Sequence, residues 1–181
     1  TCLDAGGEVL AAMAKLHTIL IGGSRLDPTL RARAEEAGLH IVESFGMTET
    51  CGGCVYDGVP LPGVLVRTLE WDGATRIAIA GPVLLTRYLA QDTPFHDELG
   101  TRWFISGDTG MIDAGGRLKV MGRADDVIIS GGLNIPPIRV DDALKNVSGV
   151  KDAWSVGLDD EKWGQVLSCL VVPEAQTSFP P

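Results

Sequence analysis

Apolar and polar positions are arranged in three successive ways along this chain. Glu-Val-Leu-Ala-Ala-Met-Ala-Lys (8–15) is built from strong helix formers and predicts a helix. Leu16 to Ile21 is a short apolar run that Gly22-Gly23-Ser24 ends. Asp27-Pro28 supplies an N-cap and a first-turn proline, and Leu30, Ala34 and Ala37 then share one helix face. Gly38 ends that helix, and Leu39 to Val42 is the next strand. A β-loop-α-β order predicts parallel strands whose C-terminal ends face a binding crevice. Two loops lie at such ends, Gly22-Gly23-Ser24 and Ser44 to Thr50.

The pattern changes after residue 55. Val64–Leu69 and Thr75–Ile79 flank Trp71-Asp72-Gly73, a hairpin signal. Trp103–Ser106, Gly110–Ile112 and Arg117–Met121 are further short strands, with Asp113–Gly116 as the turn between the last two. This stretch predicts antiparallel β structure, a small barrel or sandwich. From Gly122-Arg123 a third arrangement begins. Val127–Ile129 is a strand ending in Ser130-Gly131-Gly132, and Pro136-Pro137 opens a helix with Val140, Leu144 and Val147 on one face. Ala153–Val156 and Val166–Val172 are strands, and Thr177–Pro181 closes the sequence as a loop. The expected units are an α/β part over 1–54, an antiparallel β part over 55–124 and the start of a small α+β domain over 125–181.

Composition narrows the function classes. The 181 residues hold 15 Lys+Arg against 24 Asp+Glu, a net charge of −9, with 45% hydrophobic and 22% charged residues. That is globular usage, and the acidic balance disfavours nucleic acid as a partner. No apolar run approaches the roughly 18 residues of a membrane span. Cysteines at 2, 51, 54 and 169 are too few and too irregular for a secreted disulfide framework. The Cys51-Gly-Gly-Cys54 pair lacks a second ligand pair for zinc. Reduced thiols and a cytoplasmic setting are expected, with a redox-sensitive pair as the alternative.

Three polar clusters could carry chemistry. Ser44-Phe-Gly-Met-Thr-Glu-Thr50 combines a glycine that lets backbone approach, the Thr48 hydroxyl for a phosphate oxygen and the Glu49 carboxylate for Mg2+. Phe45 either stacks a base or fills the core. Ser106-Gly-Asp-Thr-Gly110 places Asp108 between glycines, where it could chelate two ribose hydroxyls or cap a turn. In Gly122-Arg-Ala-Asp-Asp126, Arg123 could meet a phosphate or ribose, or pair with Asp125 or Asp126.

Phe-Gly-Met-Thr-Glu-Thr (45–50), Ser-Gly-Asp-Thr-Gly (106–110) and Gly-Arg-Ala-Asp-Asp-Val-Ile-Ile-Ser-Gly-Gly (122–132), in this order, resemble successive core motifs of the adenylate-forming superfamily. Residues 46–61 are similar to its o-succinylbenzoate–CoA ligase family, of the menaquinone pathway. The resemblance implies the α/β and antiparallel β portion of that superfamily's large N-terminal domain, followed by its small α+β C-terminal domain. It implies an ATP-dependent carboxylate–CoA ligase using ATP, Mg2+ and CoA, with a small-molecule carboxylate as substrate.

By the same resemblance, Thr48 binds the α-phosphate, Glu49 holds Mg2+ and Ser44, Phe45 and Gly46 surround the nucleotide. Asp108 binds ribose, and Arg123 contacts ribose or phosphate. Gly22, Gly23 and Ser24 line the acyl side, Asp125 is a hinge, and Gly131 and Gly132 face CoA. The family's Gly/Ser/Thr-rich phosphate loop and its C-terminal lysine have no counterpart here. The sequence is therefore expected to be a window on a longer protein, inactive in adenylation by itself. Another acyl- or aryl-CoA synthetase, or a non-catalytic nucleotide-binding relic, is the alternative. Oligomeric state is left open, a homodimer included.

Overall fold

The computed structural model describes residues 2–174; Thr1 and residues 175–181, with the expected closing loop, lie outside the described residues. Three sheets follow one another along the chain. In the first, β1 (Ile19–Gly22) runs parallel to β2 (Ile41–Met47), which continues into antiparallel β3 (Gly52–Tyr56) and β4 (Val59–Pro60). Helix α1 (Gly7–Met13) precedes β1. Helix α2 (Pro28–Glu36) connects β1 to β2 and begins as its sequence requires. Asp27 accepts hydrogen bonds from the Thr29 N–H at 2.8 Å and the Leu30 N–H at 3.3 Å, and Pro28 needs no such partner. Ala34, Leu39 and Ile41 form the buried contact between α2 and β2. Arg31 ties the same elements by charge, reaching Glu35 at 2.8 Å, Glu43 at 2.8 Å and Asp57 at 3.1 Å.

β2 extends further than the sequence predicts. Ser44 to Met47 is strand, not loop, because it pairs backbone to backbone with Gly52–Tyr56. A 3-10 turn over Thr48–Thr50 and a left-handed Cys51 (φ 56°) reverse the chain.

The second sheet holds β5 (Leu65–Trp71), β6 (Ala74–Ala80), β7 (Phe95–Glu98), β8 (Thr101–Ile112) and β9 (Leu118–Arg123), with β8 between β6 and β7 and also paired to β9. Asp72 and Gly73 both have positive φ (50° and 76°), the geometry of a two-residue turn matched to strand twist. Strand β6 is buried on both faces. Ile77 and Ile79 point into one cluster with Cys54, Val55, Val64 and Leu118; Ala78 and Ala80 point into another with Trp103 and Ile105. Truncating fully buried Ile77 to Ala is expected to cost about 2–5 kcal/mol. Strand β8 also differs from expectation. Trp103–Ser106 and Gly110–Ile112 are one continuous strand through the Ser106–Gly110 cluster, accommodated by register shifts against β6 and β9.

The third sheet is antiparallel, in the order β11 (Leu133–Ile135), β10 (Ile128–Ser130), β13 (Gly164–Pro173), β12 (Val150–Asp160). The strand β11 was not legible beforehand; Gly131-Gly132 is the turn that folds it back on β10. Helix α3 (Pro137–Lys145) packs against β12. No described helix is long and apolar enough to cross a membrane. All four cysteines are free thiols, with Cys54 buried and Cys2, Cys51 and Cys169 exposed.

Candidate active site

Register explains why two of the sequence clusters meet. Asp108 on β8 and Arg123 on β9 are directly opposite partners, so their side chains leave the same face of the sheet. Arg123 Nη1 lies 3.7 Å from Asp108 Oδ1, and its Nη2 donates to Asp125 Oδ2 at 3.2 Å. Gly107 makes the space: a Cβ there would lie 2.5 Å from Arg123 Nη2. Fully buried Ser106 holds the turn of backbone, its Oγ accepting from the Asp108 N–H at 3.1 Å. Asp125 sits in a 3-10 turn directly after β9 and also faces Arg76 Nη2 at 3.8 Å.

These groups line a cleft of about 580 Å³ together with Met47, Glu49, Trp71, Asp72 and Tyr88. Burial pushes the Asp108 carboxyl above the usual carboxylate range. Arg123 opposes that shift, while the negative charges of Asp125, Glu49 and Asp126 add to it. Several carboxylates therefore converge with two guanidiniums, those of Arg123 and Arg76.

The third cluster reaches the cleft through the end of β2. Gly46 is required by backbone packing, since a Cβ would fall 1.9 Å from the Gly52 carbonyl oxygen. Thr50 is 2% exposed and pins the turn. Its hydroxyl accepts from the Met47 N–H at 2.9 Å and lies 2.7 Å from the Gly52 carbonyl oxygen, to which it donates. This leaves Thr48 exposed on the outside of the turn and Glu49 facing the cleft. Thr48 and Glu49 also line an adjoining cleft with Leu85, Arg87 and Tyr88.

Glu49, Asp108, Arg123 and Asp125 are thus brought together, with Thr48 beside them. Phe45 instead packs against the buried cluster around Cys54 and Val55 and lines neither cleft. Ser44 is the parallel-strand partner of Gly22, close enough that a Cβ on Gly22 would meet Ser44 Oγ at 2.3 Å. Gly23 (φ 87°) and Ser24 continue from that strand end. Gly131 and Gly132 form the β10–β11 turn, where the Gly131 N–H donates to the Trp163 carbonyl at 2.9 Å; they line neither cleft.

Sequence reasoning missed Arg76 and Tyr88. Arg76 lies in Thr75–Ile79, which the sequence marks only as one strand of a hairpin. Tyr88 lies between β6 and β7 in a stretch without regular structure or a recognisable motif. Its hydroxyl donates to Glu49 Oε1 at 2.5 Å. Burial and the Glu49 carboxylate push the phenol up to about 12, so it stays protonated near neutrality.

A carboxylate held half-buried beside a guanidinium can accept two hydrogen bonds from a vicinal diol. An exposed hydroxyl next to a carboxylate suits phosphate oxygens and a hard cation. Among the described residues no cluster of three or more His, Cys, Asp or Glu could hold a metal alone. A single carboxylate, Glu49, fits Mg2+, which binds through one or two carboxylates completed by phosphate oxygens and water.

Known proteins resemble this chain in sequence and in fold. The AMP-binding enzyme C-terminal domain family matches residues 139–180. The probable 2-succinylbenzoate–CoA ligase of Mycobacterium tuberculosis (strain CDC 1551 / Oshkosh) is 41% identical over 167 residues, covering 90% of this chain and 42% of that protein. The o-succinylbenzoate CoA synthetase MenE of Bacillus subtilis, in complex with the acyl-adenylate OSB-AMP, superposes with a TM-score of 0.74 at 28% identity. The match covers 94% of this chain and 41% of that one. The same enzyme with ATP and magnesium ion gives a TM-score of 0.72 at 27% identity, covering 94% and 41%. The chain spans about two fifths of the length of these relatives. Residues 139–180 thus carry the AMP-binding enzyme C-terminal domain, and in sequence and fold the chain is similar to adenylate-forming CoA ligases.

Proposed function

We propose that the whole protein is an ATP-dependent carboxylate–CoA ligase acting on 2-succinylbenzoate, first forming an acyl-adenylate and then a CoA thioester. The observation that carries this reading is the meeting of Glu49, Asp108 and Arg123 at one cleft. It is supported by the 41% identity to a protein named for that reaction. In this reading the substrate carboxylate attacks the α-phosphorus of ATP and pyrophosphate leaves; the CoA thiol then attacks the acyl carbon and AMP leaves.

Asp108 would accept from the ribose hydroxyls, with Arg123 orienting it and meeting ribose or phosphate. Thr48 would donate to the α-phosphate. Glu49, with the phosphates, would hold Mg2+, which supplies charge neutralisation at phosphorus. Ser44 and Gly46 would shape the strand end under the nucleotide, and Phe45 would border the adenine side from its packed position. Gly22, Gly23 and Ser24 would lie on the acyl side. Asp125 would be the hinge about which the part from 125 onward turns, carrying Gly131 and Gly132 toward CoA.

A substrate panel on the protein expressed from its whole gene tests this, reading AMP release with and without CoA. AMP release with 2-succinylbenzoate, and thioester only when CoA is present, is the expected result. AMP release with benzoates or fatty acids but not with 2-succinylbenzoate would overturn the substrate assignment in favour of another acyl- or aryl-CoA synthetase.

A further inference from the structure

Glu49 is held from outside its own turn. The Tyr88 hydroxyl donates to Glu49 Oε1 at 2.5 Å, and the Leu85 N–H donates to the Glu49 carbonyl at 2.8 Å. Side chain and backbone of Glu49 are therefore both fastened to the 85–88 stretch. Tyr88 is fastened in turn, its own N–H donating to Thr93 Oγ1 at 2.7 Å. Glu49 Oε2 has no hydrogen bond among the described residues.

A glutamate has three side-chain torsions, and its carboxylate plane is otherwise free to swing. Fixing Oε1 leaves Oε2 as the oxygen presented to a ligand. We propose that Tyr88 is a positioning residue that orients Glu49 for a divalent cation carried by a nucleotide. The inference rests on the reading of Glu49 given above. Tyr88 touches neither nucleotide nor metal in this scheme; it acts only through the carboxylate. Partners of this kind raise ligand affinity because the orientation is fixed before the metal arrives.

The test is metal affinity, read without turnover. Mn2+ replaces Mg2+, and its binding to the protein with ATP is followed by electron paramagnetic resonance, using protein expressed from the whole gene. Tyr88→Phe keeps the ring and removes only the donor. It is expected to weaken Mn2+ binding roughly tenfold, with AMP affinity, measured without metal, within about twofold of the parent. Tyr88→His, which retains a donor, should fall between parent and Tyr88→Phe, and also serves if the Phe variant folds poorly. Unchanged Mn2+ affinity in Tyr88→Phe, or equal losses of Mn2+ and AMP affinity, would overturn the proposal. Glu49→Gln separates the two layers. If it weakens Mn2+ binding while Tyr88→Phe does not, only the positioning role fails. If it too leaves Mn2+ binding intact, the metal role of Glu49 fails and the positioning role with it.

Discussion

Arg25 and Asp142, 117 positions apart, meet through one guanidinium nitrogen: Arg25 Nη1 lies 3.0 Å from Oδ1 and 2.9 Å from Oδ2 of Asp142. The pair joins the segment after β1 to helix α3. A second pair of opposite charges lies along the same boundary, where the negative charge of Asp27 acts on Lys145 of α3. The side chains of Arg25 and Asp142 are 38% and 42% exposed, so water screens much of their attraction. A double-mutant cycle with Arg25→Ala and Asp142→Ala, read by urea unfolding at low salt, should give a coupling of about 0.5 kcal/mol. In 1 M NaCl, where the screening length is about 3 Å, it should vanish. A coupling unchanged by salt would show that something other than charge joins the two segments.

Asp108 should leave a signature in the pH dependence of stability. Its folded-state pKa is raised from the ordinary 3.8, chiefly by burial. A raised carboxyl favours the fold fully only below its unfolded value, and that contribution is lost as pH rises through the folded value. Asp108→Asn removes the titration. The ligand-free variant is therefore expected to melt above the parent at neutral pH, the difference disappearing as the pH falls below 3.8. A thermal unfolding series across pH reads this, and a variant that melts lower at neutral pH would contradict it.

Gly107→Ala separates site geometry from stability. The added Cβ would meet only the flexible end of Arg123, at 2.5 Å from Nη2. Stability should move by less than about 1 kcal/mol. The guanidinium must shift away from Asp108, so AMP binding, followed by calorimetry, should weaken roughly tenfold. Unaltered AMP affinity would mean that Arg123 does not need its observed place.

Thr50→Val conserves shape and removes the hydroxyl that pins the Thr48–Glu49 turn. The Met47 N–H and the Gly52 carbonyl lose that partner in a buried setting. Urea unfolding should show a loss of about 1–3 kcal/mol. Thr50→Ser should recover most of it, and a Val variant as stable as the parent would remove Thr50 from this role.

What the sequence disclosed, and what it withheld, follows the range of the interactions. Asp27-Pro28 and Asp72-Gly73 were readable because cap and turn chemistry is settled within a few residues. Ser44–Met47 read as a loop because its glycine and hydroxyl suppress strand character. It is strand because residues 52–56 satisfy its backbone, which no local pattern shows. Ser106–Gly110 likewise divides an apolar pattern in the sequence, while β6 and β9 carry one strand across it. Asp108 and Arg123 were identified as candidates separately, and only the register between β8 and β9 makes them neighbours. Tyr88 gave no signal, since its importance lies wholly in a contact with a residue 39 positions earlier.

The approach of Gly46 to the Gly52 carbonyl bears on how this turn can vary. Every side chain larger than hydrogen is shut out at 46, so mutational drift there is blocked whatever the ligand. Exposed Thr48, two positions on, carries no such steric veto. A library randomised over 44–50 and selected only for folding should return glycine at 46 nearly always and a broad spectrum at 48. Added selection for binding of the Mg2+-nucleotide should narrow 48 and 49 while leaving glycine at 46 as it was, so the difference between the two enrichment maps would sort architecture from chemistry within a single heptapeptide.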